Sequence, residues 1–411
     1  LGNSNKKKIG MSKQKIISQL STSHSSQQRL DITEISKKLK SVHDALNLSI
    51  LILGSHENSE VFNQIFQNKS DYCSEVYLWY NLLSDFEGHA STQTVVNYQG
   101  KKSEKWDGWE QSDVQESFVF ACPNQPDIIR LHEEQLESIL RKYPFDGIFL
   151  DKLRFPSPAS SLEMTFSCFC PYCQEKAEKQ NFDLLHVKTL LGRESIINSI
   201  NFNHWMEAES EKKSLLSKYF KFRNQSIADL VAAIRKICIK NKVSLGLDLF
   251  TPYFSNLVGQ NYRQLCDSAD WIKPMIYRYA LGPAGIRLEM RELINSLRTN
   301  YGFSSEEIFQ LASRISPDLT PDYFSKMIND CVPFSFIEKE IMDSINFSHG
   351  KPVYIGIETV SFPGVIDIKP DHLFESLQFI KNSQADGVVL SWDLFHTPIE
   401  NIEFIKKIYE Q

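Results

Sequence analysis

An aspartate closes a short apolar run near the middle of the chain. Residues 147–150 read GIFL, and Asp151 follows at once. Asp-Gly opens the run and two prolines follow it within a few residues, which is typical of a buried parallel strand that ends in a functional loop. A buried carboxylate without a partner is costly. Asp151 therefore either pairs with Lys152 or Arg154 or takes part in chemistry, and we favour the second interpretation because similar strand ends recur.

Polar side chains follow most of the other strand-like runs as well. In chain order they are Tyr80, Asn81, Asp85, Asn124, Asp151, Arg154, Asp248, Tyr277, Arg278, Glu358, Trp392 and Asp393. In a β/α barrel the active-site groups project from the carboxyl ends of the strands and from the loops after them. Several carboxylates are therefore expected to converge on one rim.

Two carboxylates across a cleft are the minimal machinery for cleaving a glycosidic bond. Asp151 and Glu358 each directly end an apolar strand, in IFLD and YIGIE, so we predict that they form this pair. The nearby Arg154 would keep Asp151 ionised, which suits a nucleophile or base. The apolar neighbours of Glu358 are expected to raise its pKa, which suits an acid.

The remaining strand-end residues are predicted to bind substrate. They are Arg154, Asp248, Tyr277, Asp393, Trp392, Trp79 and Asn124. For Asp248 a structural hydrogen bond is an equal alternative to binding a substrate hydroxyl. Trp79 and Trp392 lie near strand ends, where they could stack on a sugar or pack in the core.

Three cysteines follow the Asp151 loop with the spacing C-x-C-x2-C. Thiolates of Cys168, Cys170 and Cys173 could hold one face of a tetrahedral zinc ion at about 2.3 Å. Cys122 is the best candidate for the fourth ligand, and His186 is the second. The alternative is a set of reduced thiols packed as small hydrophobic groups. An all-thiolate site would be closed, so we expect a structural zinc and not a catalytic one.

The elements that position these residues alternate regularly along the chain. The predicted strands are 48–53, 76–83, 118–122, 147–150, 243–249, 271–277, 353–357 and 387–391. Eight strands separated by helical stretches favour a (β/α)8 TIM barrel over an open sheet. We expect one domain over residues 29–411, with helical insertions at about 157–240 after strand four and about 290–350 between strands six and seven. Asp31 is predicted to cap an amphipathic helix before the first strand.

Composition limits the class of protein and its partners. A chain of 411 residues with 42% hydrophobic residues can bury a large core, and a net charge of −6 argues against nucleic acid or an anionic membrane as the main partner. No run approaches the roughly 18 apolar residues of a membrane span, and the amino terminus lacks a secretory signal. We therefore expect a cytoplasmic protein. Residues 1–28 are polar and aperiodic and are expected to be disordered.

Several segments resemble a known group of proteins. DGIFLDKLRFPSP, FSCFCPYC, LGLDLFTPYFSNLVGQNYRQL, DWIKPMIYR and ADGVVLSWDL are similar to the uncharacterised glycoside-hydrolase-like TIM-barrel proteins, in which Asp-x-x-Arg-[Phe/Tyr]-Pro recurs after strand four. The likeness covers about residues 73 to 405. It implies a TIM barrel with a hydrolase-like site, at which Asp151 and Arg154 match the recurring segment. A similar cysteine cluster in some β-galactosidase barrels implies a structural metal.

The sequence therefore predicts a glycoside hydrolase with a carbohydrate substrate and a zinc site. Two alternatives stay open. One is a barrel that binds carbohydrate without catalysis and keeps the aromatic rim. The other is a zinc-bearing base-exchange transglycosylase of tRNA, which also carries C-x-C-x2-C, although the acidic charge and the position of the cluster in mid-chain count against it. The sequence does not indicate an oligomeric state.

Overall fold

Eight parallel strands form a closed barrel, as the sequence predicts. The computed structural model describes residues 14–22, 31–106, 116–191, 211–315, 325–326, 329–362 and 365–410. The barrel strands are β1 (Lys15–Ser21), β2 (Ile50–Gly54), β3 (Glu75–Asn81), β4 (Gly147–Asp151), β5 (Ser244–Phe250), β6 (Trp271–Met275), β7 (Tyr354–Glu358) and β10 (Gly387–Ser391). A short antiparallel pair, β8 (Ser361–Phe362) and β9 (Ile366–Asp367), precedes β10 in the chain. Around the barrel the order is β1-β10-β7-β6-β5-β4-β3-β2.

Helices occupy the connections between these strands. Over the described residues the helices are α1 (Ile32–Leu46), α2 (Ser59–Gln67), α3 (Ile128–Lys142), α4 (Leu162–Thr165), α5 (Pro171–Lys179), α6 (Leu184–Leu191), α7 (Glu211–Asn241), α8 (Pro252–Ser255), α9 (Tyr262–Cys266), α10 (Ile286–Tyr301), α11 (Ser305–Ile315), α12 (Phe334–Phe347), α13 (Pro370–Asn382) and α14 (Ile399–Glu410). The two predicted helical insertions are present: α4 to α7 follow β4, and α10 to α12 lie between β6 and β7. None of the described helices is both long and apolar enough to span a membrane.

The first of these helices shows how local sequence sets an element. Asp31 accepts hydrogen bonds from the backbone N–H groups of Thr33 and Glu34 at 2.7 and 3.4 Å, so it caps α1 as predicted. Residues at helical spacing, from Ile35 to Leu46, are buried on one face. That face packs in the apolar layer between the barrel and its helices.

Side-chain alternation along the strands separates two apolar regions. In β4, Ile148 and Leu150 belong to the outer core between barrel and helices, whereas Phe149 belongs to a separate cluster inside the barrel. Since strand side chains alternate with period two, Asp151 continues the inner face of β4 at its carboxyl end. The inner cluster is dense. A Cβ atom on Gly246 would lie 2.3 Å from the Trp271 ring, so this position requires glycine.

Aspartates hold the opposite end of the barrel together. Asp146, just before β4, accepts a hydrogen bond from the Val76 N–H at 2.7 Å, and Asp386, just before β10, accepts one from the Val353 N–H at 2.9 Å. Each carboxylate therefore ties the start of one strand to the start of its neighbour. The repeated Asp-Gly pairs before β4 and β10 belong to this structural end and not to the active rim.

Two predicted elements were wrong, and the errors compensate in the strand count. Residues 15–21, expected to be disordered, form β1; the remainder of the segment 1–28, apart from residues 14 and 22, lies outside the described residues. The predicted strand 118–122 is not a strand; it makes one isolated antiparallel bridge, Ala121 to Thr94. Its apolar side chains are buried because the loop between β3 and α3 folds back over the barrel. An apolar run of this length indicates burial but does not specify a strand.

Candidate active site

A cleft opens at the carboxyl ends of the barrel strands. It encloses about 980 Å³, counting the part that is open to solvent. Its walls comprise Gln19, Ser21, Trp79, Glu116, Phe118, Asp151, Lys152, Arg154, Asp248, Phe250, Met275, Tyr277, Gly282, Pro283, Ala284, Phe362, Trp392, Asp393 and His396. The sequence assigns nine residues to catalysis or substrate binding, and seven of them line this cleft: Trp79, Asp151, Arg154, Asp248, Tyr277, Trp392 and Asp393. Glu358 and Asn124 do not line the cleft.

Asp151 is held at the end of β4 by two donors. Its Oδ2 accepts a hydrogen bond from the indole N–H of Trp79 at 3.0 Å, and its Oδ1 accepts one from the backbone N–H of Lys152 at 2.5 Å. The residue is only half-buried, so part of the carboxylate faces the cleft. Trp79 itself is 7% exposed. It therefore orients Asp151 and offers little ring surface to a sugar.

A buried lysine organises the floor of the cleft. Lys273, in the middle of β6, has no exposed surface, and its Nζ donates to Gln19 Oε1 at 2.7 Å, Asp248 Oδ2 at 3.0 Å and Tyr277 Oη at 2.9 Å. Ser391 also donates to Gln19 Oε1, at 3.0 Å. The amino group thus has three hydrogen-bond partners, which offset the cost of burying a polar group.

Two polar atoms of this floor have no protein partner. Asp248 Oδ1 and Gln19 Nε2 are both buried, and neither forms a hydrogen bond within the described part of the chain. One is an acceptor and the other a donor, and both residues line the cleft. Buried polar atoms are normally hydrogen-bonded. An unsatisfied acceptor and donor at the bottom of a cleft are what a hydroxyl-bearing ligand would satisfy.

Burial sets the protonation of Asp248. It raises the pKa of this carboxyl to about 7; the Lys273 ammonium lowers it in part, and the negative charge of Asp151 raises it further. The ion pair with Lys273 at 3.0 Å favours the ionised form of Asp248, whereas desolvation favours the protonated form. Desolvation of this fully buried carboxylate is the larger effect. Near neutral pH, Asp248 therefore exists in both protonated and ionised forms.

Asp151 and Asp248 are neighbours across the sheet. Leu150 of β4 is paired in register with Leu247 of β5, so the next residues on each strand, Asp151 and Asp248, share the following rung. Adjacent strands lie about 4.8 Å apart. Both side chains point to the inner face and both line the cleft. The sheet register thus brings together two carboxylates with different surroundings.

A second charged group lies at the edge of the cleft. Lys152 is 4% exposed and forms ion pairs with Asp85 at 2.7 Å and Glu116 at 3.1 Å. Burial lowers the pKa of Lys152, but the charges of Glu116, Asp85 and Asp151 raise it more, so the ammonium form is favoured. Burial raises the pKa of Glu116 in spite of Lys152. These contacts fix the backbone directly after Asp151.

The carboxylate of Glu358 is bonded to the backbone of the loop after β6. Its Oε2 accepts from the backbone N–H of Arg278 at 2.9 Å, and its Oε1 accepts from Tyr279 and Ala280 at 2.8 and 2.9 Å. The side chain is 3% exposed and is not one of the described residues that line the cleft. Burial raises its pKa, and these three backbone donors oppose that rise. This geometry does not support the predicted catalytic pair of Asp151 and Glu358; Glu358 holds the loop after β6.

Residues after β6 and β10 form the wall opposite Asp151. Tyr277 and Trp392 have ring centroids 6.1 Å apart, and Trp392 is half-buried, so part of its ring faces the cleft. Asp393 accepts from the backbone N–H groups of Ser21 and Phe395, and burial raises its pKa to about 7 although these bonds lower it. The strand β1, absent from the sequence-based prediction, thus contributes to this wall.

Four of the eight cysteines form one buried cluster beside the barrel. The sulfur atoms of Cys122, Cys168, Cys170 and Cys173 all lie within 4.8 Å of one another. Cys122 is 3.5 Å from Cys173 and 3.4 Å from Cys170. Thiolates at about 2.3 Å from a tetrahedral ion would be about 3.8 Å apart, so the four sulfurs fit a metal ion. The predicted cluster, with Cys122 as its fourth member, is confirmed, whereas His186 is exposed on α6.

Asn124, predicted to bind substrate, lies at this cluster and is not one of the described residues that line the cleft. Its side-chain amide donates to Cys173 Sγ at 3.2 Å, and its backbone N–H donates to Cys122 Sγ at 3.4 Å. The backbone N–H of Val96 donates to Cys168 Sγ at 3.4 Å. N–H donors of this kind stabilise thiolates and orient metal ligands. The prediction placed Asn124 after a barrel strand, but residues 118–122 are not a strand, so Asn124 does not follow a strand end.

Sequence reasoning missed Lys273 and Gln19. Lys273 interrupts an apolar strand, WIKPM, and a charged residue in a buried strand carries the same indication that singled out Asp151. Gln19 lay in the segment expected to be disordered. Glu116 and Lys152 were also not predicted as site residues, since their contacts depend on the loop after β3.

Comparisons with known proteins agree with the barrel. The glycoside hydrolase domain of PgaB (BpsB) from Bordetella bronchiseptica is 12% identical, covers 93% of this chain and 94% of its own, and superimposes with a TM-score of 0.54. A class V chitinase from Pseudomonas fluorescens Pf-5 is 11% identical over 95% of this chain and 98% of its own, with a TM-score of 0.48. No protein-family model and no curated protein matches the sequence. At such identity the first likeness shows the fold alone.

Proposed function

We propose that this protein is a glycoside hydrolase in which Asp151 and Asp248 are the catalytic carboxylates. The observation that carries the proposal is their position on one rung of neighbouring strands at the mouth of the barrel, in a cleft that also exposes Trp392. Glycosidic bond cleavage requires one carboxyl group to donate a proton and another to act as nucleophile or base. The structurally similar PgaB domain is described as a glycoside hydrolase domain, which is consistent with this chemistry.

The surroundings of the two carboxylates suggest how the roles divide. Burial raises the pKa of Asp248 to about 7, so a large fraction carries a proton at neutral pH and can protonate the leaving oxygen. Asp151 accepts two N–H hydrogen bonds, which hold its carboxyl group in place at the cleft. The acid role of Asp248 leaves the role of nucleophile or base to Asp151, whose half-buried carboxyl group lines the cleft. Asp151 is therefore proposed as the nucleophile.

The substrate is proposed to be a carbohydrate that enters along the wall of Tyr277 and Trp392. The half-buried Trp392 ring offers a flat apolar surface for a pyranose face. At the floor, Gln19 and Asp248 line the cleft, and their polar side chains are proposed to bind sugar hydroxyls. Asp393 lines the same wall and is proposed to bind substrate.

Zinc is the metal proposed for the cysteine cluster. Four thiolates at tetrahedral distances are a common structural zinc site. Cys168 and Cys170 lie in the connection between β4 and β5. Joining them to Cys122 would tie this connection to the loop after β3, so the ion would stabilise the loops around Asp151 without touching substrate.

Leaving-group dependence tests the catalytic assignment. Wild-type protein, Asp151→Asn and Asp248→Asn are assayed on a panel of 4-nitrophenyl and 2,4-dinitrophenyl glycosides. Loss of either carboxylate should reduce kcat by about 10²- to 10⁴-fold on the poorer leaving group. The dinitrophenyl substrates should restore much of the activity of Asp248→Asn, because their leaving group needs no proton, but not that of Asp151→Asn.

Asp127→Asn is the matched control, since Asp127 is exposed, does not line the cleft and, among the described residues, forms an ion pair only with Arg130. It should hydrolyse each substrate at the wild-type rate. Wild-type turnover by Asp151→Asn would refute the assignment. Binding of the glycosides without cleavage by the wild-type protein would instead favour a non-catalytic carbohydrate-binding barrel.

A further inference from the structure

A buried arginine lines the cleft with its charge unpaired. Arg154, three residues after Asp151, is 4% exposed, and its Cζ lies 4.5 and 4.6 Å from the ring centroids of Phe120 and Phe250. Burial lowers the pKa of Arg154 to about 10, against the effect of nearby carboxylates, so the group stays positively charged at neutral pH. The side chain belongs to the wall of the cleft.

Most of the hydrogen-bonding capacity of Arg154 is unused. An arginine has five N–H donors, and within the described part of the chain Arg154 makes one hydrogen bond, from Nη1 to the carbonyl of Phe155 at 3.1 Å. It forms no salt bridge with any carboxylate of the described chain. None of its nitrogens is sealed off without a partner, so the free donors open to the cleft.

A structural arginine in the same protein looks different. Arg223 is also completely buried among aromatic rings, but its two terminal nitrogens donate to the backbone carbonyls of Leu257 and Thr165, both at 2.8 Å. It lies away from the cleft wall. Arg223 is therefore accounted for by tying segments together, whereas the contacts of Arg154 leave its cleft-facing edge unexplained.

The carboxylates nearest to Arg154 are occupied elsewhere. Glu289 accepts from Ser157 Oγ and from the backbone N–H groups of Ala159 and Ala284, each at 2.8 to 2.9 Å. Asp151 accepts from Trp79 and Lys152. The negative charges of both residues favour the charged form of the buried Arg154 guanidinium, but neither carboxylate is close enough to form an ion pair with it.

We propose that Arg154 binds a carboxylate of the substrate, so that the sugar accepted by this cleft is acidic, of the uronic-acid type. This inference rests on the proposed function, because it concerns the ligand of the same cleft. The rings of Phe120 and Phe250 pack against the guanidinium, and the side chain belongs to the wall of the cleft. An in-plane edge with two parallel N–H groups matches the two oxygens of a planar carboxylate.

The acidic residues of the cleft do not oppose this. Asp248 is bonded to Lys273, and Glu116 is paired with Lys152, so each of these charges is compensated by a cation. Asp393 is on the far wall, after β10, and is bonded to backbone N–H groups. Arg154 is the one cation lining the described cleft that has no carboxylate bound to it.

Direct binding tests the proposal without any hydrolysis. Ligand-observed NMR titration compares D-glucuronic acid, its neutral isostere D-glucuronamide, and D-glucose, on the wild-type protein, Arg154→Lys and Arg154→Gln. Wild-type protein should bind the acid at least about 10-fold more tightly than the amide, as expected for charge-assisted hydrogen bonds. Arg154→Gln should abolish this preference. Arg154→Lys should keep only part of it, because an ammonium group lacks the planar fork.

Equal binding of acid and amide by the wild-type protein, or no binding of the acid, would overturn the proposal. So would an acid preference that survives in Arg154→Gln. The wild-type comparison needs no variant, so it decides the matter even where a substitution impairs folding. A protein that prefers the acid but cleaves no glycoside would refute the proposed hydrolase and leave the acid site standing; cleavage of neutral glycosides without acid preference would do the reverse.

Discussion

Replacing Lys273 by methionine should destabilise the protein in a pH-dependent way. Lys273 has no exposed surface and donates to Gln19, Asp248 and Tyr277. Methionine keeps most of the shape but removes the charge, so Asp248 is left buried without its cation. Breaking a buried ion pair in this way typically costs about 3 to 5 kcal/mol, because the remaining charge is uncompensated.

The pH dependence follows from the pKa of Asp248. In the wild type this pKa is about 7 in the folded state, against roughly 3.9 when unfolded. Because this pKa is higher in the folded state, protonation of Asp248 stabilises the folded protein. This stabilisation is complete below about pH 4 and is lost as the pH rises to 7. Without Lys273 the folded pKa moves above 7, so the loss continues at higher pH. The cost of the substitution should thus increase by about 1.4 kcal/mol per pH unit above 7.

Urea unfolding of both proteins at about pH 5.5 and about pH 8.5 measures this difference. Lys179→Met serves as the control, because Lys179 pairs with Glu175 on the exposed surface of α5 and its removal should matter little at either pH. A Lys273→Met penalty that is equal at the two pH values would refute the coupling to Asp248. In the enzyme assay, activity should fall at high pH as Asp248 loses its proton. Any residual activity of Lys273→Met should show this fall at a higher pH than the wild type, because the pKa of Asp248 is higher in the variant.

Two further predictions concern Glu358 and the cysteine cluster. Glu358→Gln places an amide N–H against one of three backbone donors, so urea unfolding should show a loss of about 1 to 3 kcal/mol, and an unchanged stability with a loss of turnover as large as that of Asp151→Asn would restore Glu358 as a catalytic residue. The purified protein should contain about one equivalent of zinc, which Cys170→Ser should lose together with a lower Tm; less than about a tenth of an equivalent in the wild type would dismiss the zinc site.

The barrel was predictable because its strands leave a strong pattern. Most are short apolar runs, separated by helices with clear apolar faces such as that of α1. β1 lacks this pattern, since KIISQLS mixes lysine, serine and glutamine with its apolar residues. Ser18 and Gln19 are nevertheless completely buried, because the barrel provides polar partners for Gln19 in Lys273 and Ser391. A strand that buries polar groups against distant partners reads as a loop.

The metal cluster and the cleft differ in how much sequence reveals. Three of the four cysteines, Cys168, Cys170 and Cys173, lie close together in the sequence, so their spacing alone predicts a site. Cys122 is the fourth member as predicted, although residues 118–122, at whose end it lies, do not form the predicted strand. The loop after β3 brings it to the cluster instead. The prediction succeeded because cysteine is rare and its sulfur has few alternative uses.

Carboxylates are harder, because a strand-end acid has two ways to be satisfied. Glu358 meets three backbone N–H groups that lie 78 to 80 residues earlier in the chain, which no local pattern indicates. Asp248 lies on the same rung as Asp151 and keeps an oxygen without a partner among the described residues. The two acids look alike in sequence, each following an apolar run. Register and the supply of backbone donors decide which of them faces the cleft, and both are properties of the closed barrel and not of the segment.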